Sequence, residues 1–172
     1  MRDTVIVRSI ALLSLLAATQ TMPAPANPTC LTEEQIRQRL TFLLHDSGPT
    51  LWRCSDDALT LIPEQKPEAR SVGDIVRALN LRLQSRKLPQ VRIVRTDRDT
   101  VVVTVDDPAQ LTQKMGTTGA HCYLAEVTFS VTSMEEVDYI WLDVPEGDHA
   151  GPGRLGRASF PDLLPFAGQG EK

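Results

Sequence analysis

The sequence predicts an α+β fold, a two-layer sandwich with two helices on one face of a sheet. Three observations lead there. Residues 71–86 and 118–134 carry apolar stripes at helical spacing. Residues 90–95, 100–107 and 137–144 follow a period of two, as strands with a buried face do. Their order along the chain is α-β-β-α-β.

An additional helix comes first, at residues 32–45. Thr32 is its N-cap, Gln35 completes a capping box, and Leu31 can staple onto Ile36. Ile36, Leu40, Leu43 and Leu44 form its stripe, and Ser47-Gly48-Pro49 stops it. Residues 50–55 and 59–64 flank Asp56-Asp57 as two short strands, expected to extend the main sheet. The helix at 71–86 starts on Ser71, with Asp74 in its positively polarised first turn. Val72, Ile75, Val76, Leu79 and Leu83 share one face, and Leu81 lies off it.

The turn "TDRD" joins the strands at 90–95 and 100–107 into a hairpin. Val101, Val103 and Val105 make one face apolar; Val102 and Thr104 make the other partly so. Residues 108–119 read as a loop, after which Thr117 or Thr118 can cap the next helix. Ala120, Leu124, Val127, Val131 and Met134 recur there at steps of four, three, four and three. β-branched residues at 127, 128, 131 and 132 favour a strand instead; the regular spacing decides for a helix. In the last strand Ile140, Leu142 and Val144 face one way, and Tyr139, Trp141 and Asp143 the other. Residues 148–172 are dense in Gly and Pro and read as an extended tail.

The chain has 172 residues, 41% hydrophobic, enough for one domain with a core. A net charge of −4 gives no footprint for nucleic acid or an anionic membrane. At the N-terminus, Arg2 and Arg8 precede the apolar run "SIALLSLLAA" and an A-x-A pattern at Ala24 and Ala26. This is the grammar of a secretory signal peptide over residues 1–26, cut after Ala26; an uncleaved anchor is the other reading. Cleavage removes Arg2, Arg8 and Asp3, so 18 basic and 22 acidic residues become 16 and 21. No membrane span is then expected. Export places the protein in an extracytoplasmic compartment, the periplasm or cell envelope, where cysteines can pair. Cys30 with Cys54 closes a short loop, a bridge that contributes about 3 kcal/mol if unstrained. Three unpaired, buried thiols are the alternative for Cys30, Cys54 and Cys122.

The pattern resembles the GerMN domain, named for a spore-germination protein and found in bacterial cell-envelope proteins. The matching residues are "DTVVVTVD", Gly116 and Gly119, Val131-Thr132-Ser133, Val137, Ile140 and Gly147, with Leu59 and Pro63 upstream. They divide the chain into the leader, a capped helix and linker over 27–49, a GerMN-like domain over 50–147, and the tail. The resemblance implies a wedge-like unit similar to ring-building motifs of secretion complexes. It implies a non-catalytic role, docking to another envelope protein or to further copies of the chain. No cofactor or nucleic-acid partner is expected.

Two kinds of chemistry compete with that expectation. Cys122 near a helix start, with His149 downstream and Asp143 or Asp148 to orient it, has the elements of a thiol hydrolase acting on cell-wall peptides. Against it, Cys122 lies several residues past the cap, and His121 points about 100° away around the helix. His121, His149, Asp143 and Asp148 are metal-ligating types without a ligand rhythm. "GPGRLGR" lacks the Lys-Ser/Thr of a phosphate loop and reads as a flexible loop. The remaining signal is apolar and aromatic. Tyr139, Trp141 and Trp52 are the expected partner-binding side chains, on a sheet face that is either open or covered by the helix at 32–45.

Overall fold

The computed structural model describes residues 48–55 and 60–163. The leader, the helix at 32–45, Cys30, His45, Leu59 and the last nine residues lie outside the described residues. The elements run β1 (Leu51–Cys54), β2 (Leu61–Gln65), α1 (Val72–Ser85), β3 (Val91–Asp97), β4 (Thr100–Val105), α2 (Thr117–Val131), β5 (Tyr139–Leu142) and β6 (Gly153–Leu155). A π turn at Gln110–Lys114 precedes α2, and two 3-10 turns, Arg157–Ser159 and Pro161–Leu163, follow β6. The α-β-β-α-β order from α1 to β5 is the one the periodicity predicts.

The main sheet has the order β3-β4-β5-β6. β3 and β4 pair antiparallel across a two-residue turn in which Arg98 takes a left-handed φ of 52°. β4 and β5 pair parallel, which demands a crossover, and α2 supplies it. Alternation then decides what is buried. Val101, Val103, Val105, Ile140 and Leu142 face the helices and are nearly inaccessible. They pack with Ile75, Leu79 and Leu83 of α1 and with Ala120, Val127 and Val131 of α2. Each large aliphatic side chain in this layer contributes about 1.5–3 kcal/mol by leaving water.

Ser71 caps α1 by accepting the Asp74 N–H at 3.3 Å, and Asp74 bonds the Ser71 hydroxyl and the Arg70 N–H in return. Those bonds, the Ser71 hydroxyl first, hold the Asp74 carboxyl below the usual aspartate range. The start of α2 differs from the sequence expectation. Neither Thr117 nor Thr118 caps it; Gly116 does, at a φ of 75° that favours glycine. Gly147 is a second constrained position, since a Cβ there would stand 2.7 Å from the Thr112 carbonyl oxygen.

Two expectations need correction. β1 and β2 do not extend the main sheet. They form a separate two-stranded sheet on α2, because the helix itself occupies the free edge of β1. The N–H groups of Thr50, Trp52 and Cys54 donate to the Ser133 hydroxyl (2.8 Å), the Ser130 hydroxyl (3.0 Å) and the Glu126 carboxylate (2.8 Å). A helix buried on several sides can carry such polar groups only when each has a partner. Second, the Gly/Pro-rich segment is not simply an extended tail. "GRL" is β6, antiparallel to β5. Phe160 and Leu163 beyond it are buried with Trp52, Leu61 and Phe129 in a second core. Arg157, also buried, donates to the Thr132 hydroxyl and carbonyl and to the Phe129 carbonyl, the orphan acceptors at the end of α2.

Glu126 is the centre of this joint. It is buried, accepts the Cys54 N–H, and pairs with Arg86 at 2.6 Å. Arg82, bridged to Glu64, sits nearby, and burial lowers its pKa while Glu126 opposes the shift. Replacing Glu126 with Ala strands a buried N–H. Arg86 is about one-third exposed and water screens part of its loss. Urea denaturation of the oxidised protein should show a loss of about 2–3 kcal/mol; a change below about 0.5 kcal/mol would contradict the role. Ser71→Ala should raise the Asp74 pKa, measured by NMR titration. The contribution of the ionised carboxylate is present above the ordinary aspartate range and is lost as the pH falls through the depressed value.

Candidate functional site

The outer face of the main sheet, away from the helices, carries the exposed tryptophan. Arg95, Val102, Trp141 and Arg154 are paired in register from β3 to β6, so they stand in one row across four strands. Trp141 is 42% exposed. A β-bulge builds the row. The β3 register shifts between Ile93 and Arg95, which turns Arg95 to the same face as Arg92. An open groove of about 410 Å³ runs beside the row, floored by Thr100 and Val102 and rimmed by Arg95, Arg98, Asp97 and Asp99. The indole offers a flat apolar anchor, and the guanidiniums offer planar hydrogen-bond donors.

Tyr139 shares this face with Trp141, but its ring is not a free platform. The Arg154 guanidinium lies 3.5 Å from its centroid and also reaches Asp99 at 3.6 Å. A Cβ on Gly156 would come within 3.0 Å of the same ring. Tyr139 thus fastens β6 to β5.

Trp52 is not part of this face. It is 3% exposed, edge-to-face with Phe129 at 5.3 Å, in the second core. The expectation placed it beside Trp141 because it placed β1 in the main sheet. With β1 on the opposite side of α2, the same alternation buries it. Sequence reading missed Arg95 and Arg154. The bulge breaks the period of two that would have revealed the first, and the Gly/Pro-rich context hid the strand that holds the second.

The sulfur chemistry also needs correction. Cys54 is bonded to Cys122, with Cα atoms 5.6 Å apart, so it does not pair with Cys30. Hydrogen bonding decides the partner: the Cys54 N–H is held by Glu126, one helical turn beyond Cys122, which brings the two side chains together. A bonded sulfur is no thiolate nucleophile. The His149 ring is held by the Thr117 hydroxyl at 3.2 Å, and His121 pairs with Asp162 at 3.1 Å. Beside the disulfide a cavity of about 230 Å³ is lined by Arg86, Leu88, Met115 and Tyr123. Burial pushes the Tyr123 phenol above its ordinary range, and its hydroxyl donates to the Pro89 carbonyl. Among the described residues no cluster of three His, Cys, Asp or Glu side chains is placed to hold a metal ion. No described helix is long and apolar enough to cross a membrane.

No family model, no curated protein and no solved structure matches the chain.

Peptide mapping without reductant should recover Cys54 linked to Cys122, and alkylation of the folded protein should leave Cys122 untouched. The bridge closes a separation of 68 residues, so replacing both of its cysteines with Ala should cost up to about 4 kcal/mol in denaturant unfolding. A fast, pH-dependent alkylation of Cys122 would contradict the assignment and restore the hydrolase reading.

Proposed function

We propose that the chain is an exported, non-catalytic interaction module of the bacterial cell envelope, of the GerMN type, that docks another envelope protein through the outer sheet face. The observation that carries this reading is Trp141. It projects from a strand rather than a loop, stands half in solvent, and is flanked across the strands by Val102 and Arg154. Tryptophan and arginine are the side chains that most often dominate binding energy at interfaces. A rigid platform also loses little entropy on docking.

Export is supported by the leader grammar and by the Cys54–Cys122 bridge, which persists in oxidising compartments. The GerMN assignment is supported by the α-β-β-α-β order and by two glycines of the pattern, Gly116 and Gly147, each in a position that disfavours a side chain. The hydrolase alternative loses its nucleophile to the bridge.

The test is capture from envelope extract by purified full-length variants, scored per folded molecule. Trp141→Ala should reduce recovery of the partner at least about tenfold, as expected for a central anchor. Leu81→Ala, at a 66% exposed position of α1, should not. Equal capture by the two variants, or loss of the fold in Trp141→Ala, would remove the face from the account.

A further inference from the structure

A second surface adjoins the Trp141 row and shares Arg95 with it. β3 forms one edge of the main sheet. Helix α1 covers only its start, where the Asn80 amide donates to the Val91 carbonyl and accepts the Val91 N–H, both at 2.8 Å. Those two groups therefore point away from β4. Outward-pointing residues alternate in an antiparallel ladder, so the N–H and C=O of Ile93 point outward too. At the far end Asp97 and Thr100 close the two-residue turn, which leaves the backbone of Thr96 outward. Among the described residues nothing pairs with these groups.

Two further properties describe what fits there. Ile93 and Val94 are 37% and 49% exposed, large apolar side chains on an open edge. Arg92, Arg95 and Arg98 are exposed as well, and among the described residues none of them has an ion-pair partner. The bulge sets Arg92 and Arg95 on the same face despite their odd spacing. Asp97 is the one acid within the strand.

We infer that the β3 edge accepts an extended acidic segment of a partner protein as an added strand between Ile93 and Thr96. Main-chain hydrogen bonds supply the register, as in other strand additions. Acidic side chains at alternate positions of the guest meet Arg92 and Arg95, and the residues between them cover Ile93. The Asn80 plug at Val91 ends the guest strand. A second copy of this chain fits poorly. Its edge carries the same excess of arginine over acid, Arg92, Arg95 and Arg98 against Asp97, so an acidic guest is the better match in charge. This inference does not depend on the docking role of Trp141.

The experiment uses fluorescence anisotropy of the full-length oxidised protein with a labelled Glu-Val-Glu-Val-Glu peptide, its Lys-Val-Lys-Val-Lys counterpart, and versions N-methylated either at the Val or at the Glu residues. The acidic peptide should bind saturably and the lysine peptide should not. N-methylation in one phase should weaken binding at least about tenfold and in the other phase should be tolerated. Ile93→Pro removes an outward N–H without touching the ladder to β4, and should weaken binding by a similar factor. Arg92→Glu with Arg95→Glu should reverse the preference between the two peptides. Three results would each overturn the inference. One is no saturable binding. Another is equal affinity for all methylated forms, which is charge attraction without strand addition. The third is concentration-dependent dimerisation of the protein alone that Ile93→Pro abolishes, which makes a second copy the occupant.

Discussion

Alternate backbone N–H groups of β1 and of Thr50 before it face away from β2 and need acceptors, and side chains of α2 and of the turn just after it provide them. Cys122, Glu126 and Ser130 lie within about 80° of arc on that helix, and Ser133 follows just past its end. They meet the Cys54 sulfur and the N–H groups of Cys54, Trp52 and Thr50 in turn. The step from Glu126 to Ser130 rises about 6 Å along the helix, and two residues of strand span about 7 Å. The two ladders therefore stay in step over that turn, and the Ser133 hydroxyl continues the series past the helix end. A buried N–H without a partner costs about 1–3 kcal/mol, so three such bonds in series hold the hairpin in one register. The rest of the architecture follows from that joint. It places Trp52 against Phe129, it brings Cys54 to Cys122, and it leaves α2 packed between the hairpin and the main sheet.

The division of labour between the faces of the main sheet is a consequence. Both helices and the hairpin lie on the Val101–Ile140 side, so described elements supply little to the Val102–Trp141 side. The outer face holds its shape through side chains of the sheet itself, with Arg154 stacked on Tyr139 and paired with Asp99. A surface built on paired strands presents Trp141 in a fixed direction, which suits recognition better than a mobile loop does. The edge strand is protected differently. Its arginines and its bulge discourage pairing with another copy, by the same devices that keep exposed edges from aggregating.

The parts that were legible in the sequence are those governed by a single period. Ile75, Val76, Leu79 and Leu83 bury one helix face, and Val101, Val103 and Val105 one strand face, as their spacing requires. The Ser71 cap is where its chemistry places it. What the pattern hid was the second function of α2. A stripe of Cys, Glu and Ser beside an aliphatic stripe looks like a solvated helix face, and only the position of β1 shows it to be a docking rail. That same error displaced Trp52 and paired Cys54 with the nearest cysteine in sequence. Arg157 was illegible for a related reason. Among Gly and Pro nothing signals a buried guanidinium, and its partners are carbonyls at the end of a helix 25 residues earlier. Of the candidate site, Trp141 and Tyr139 were readable from alternation. Arg95 was not, since one unpaired residue shifts every side chain after it to the other face.

Amide hydrogen exchange, followed residue by residue by NMR in the oxidised protein, tests the rail most directly. Thr50, Trp52 and Cys54 lie at the edge of a two-stranded sheet, where N–H groups without acceptors exchange readily. The account predicts that all three are protected to the level of central-strand amides such as that of Val103. Exchange of these three at the rate of an exposed backbone N–H would show that α2 does not hold β1, and the placement of the hairpin, the disulfide and the second core would fall with it.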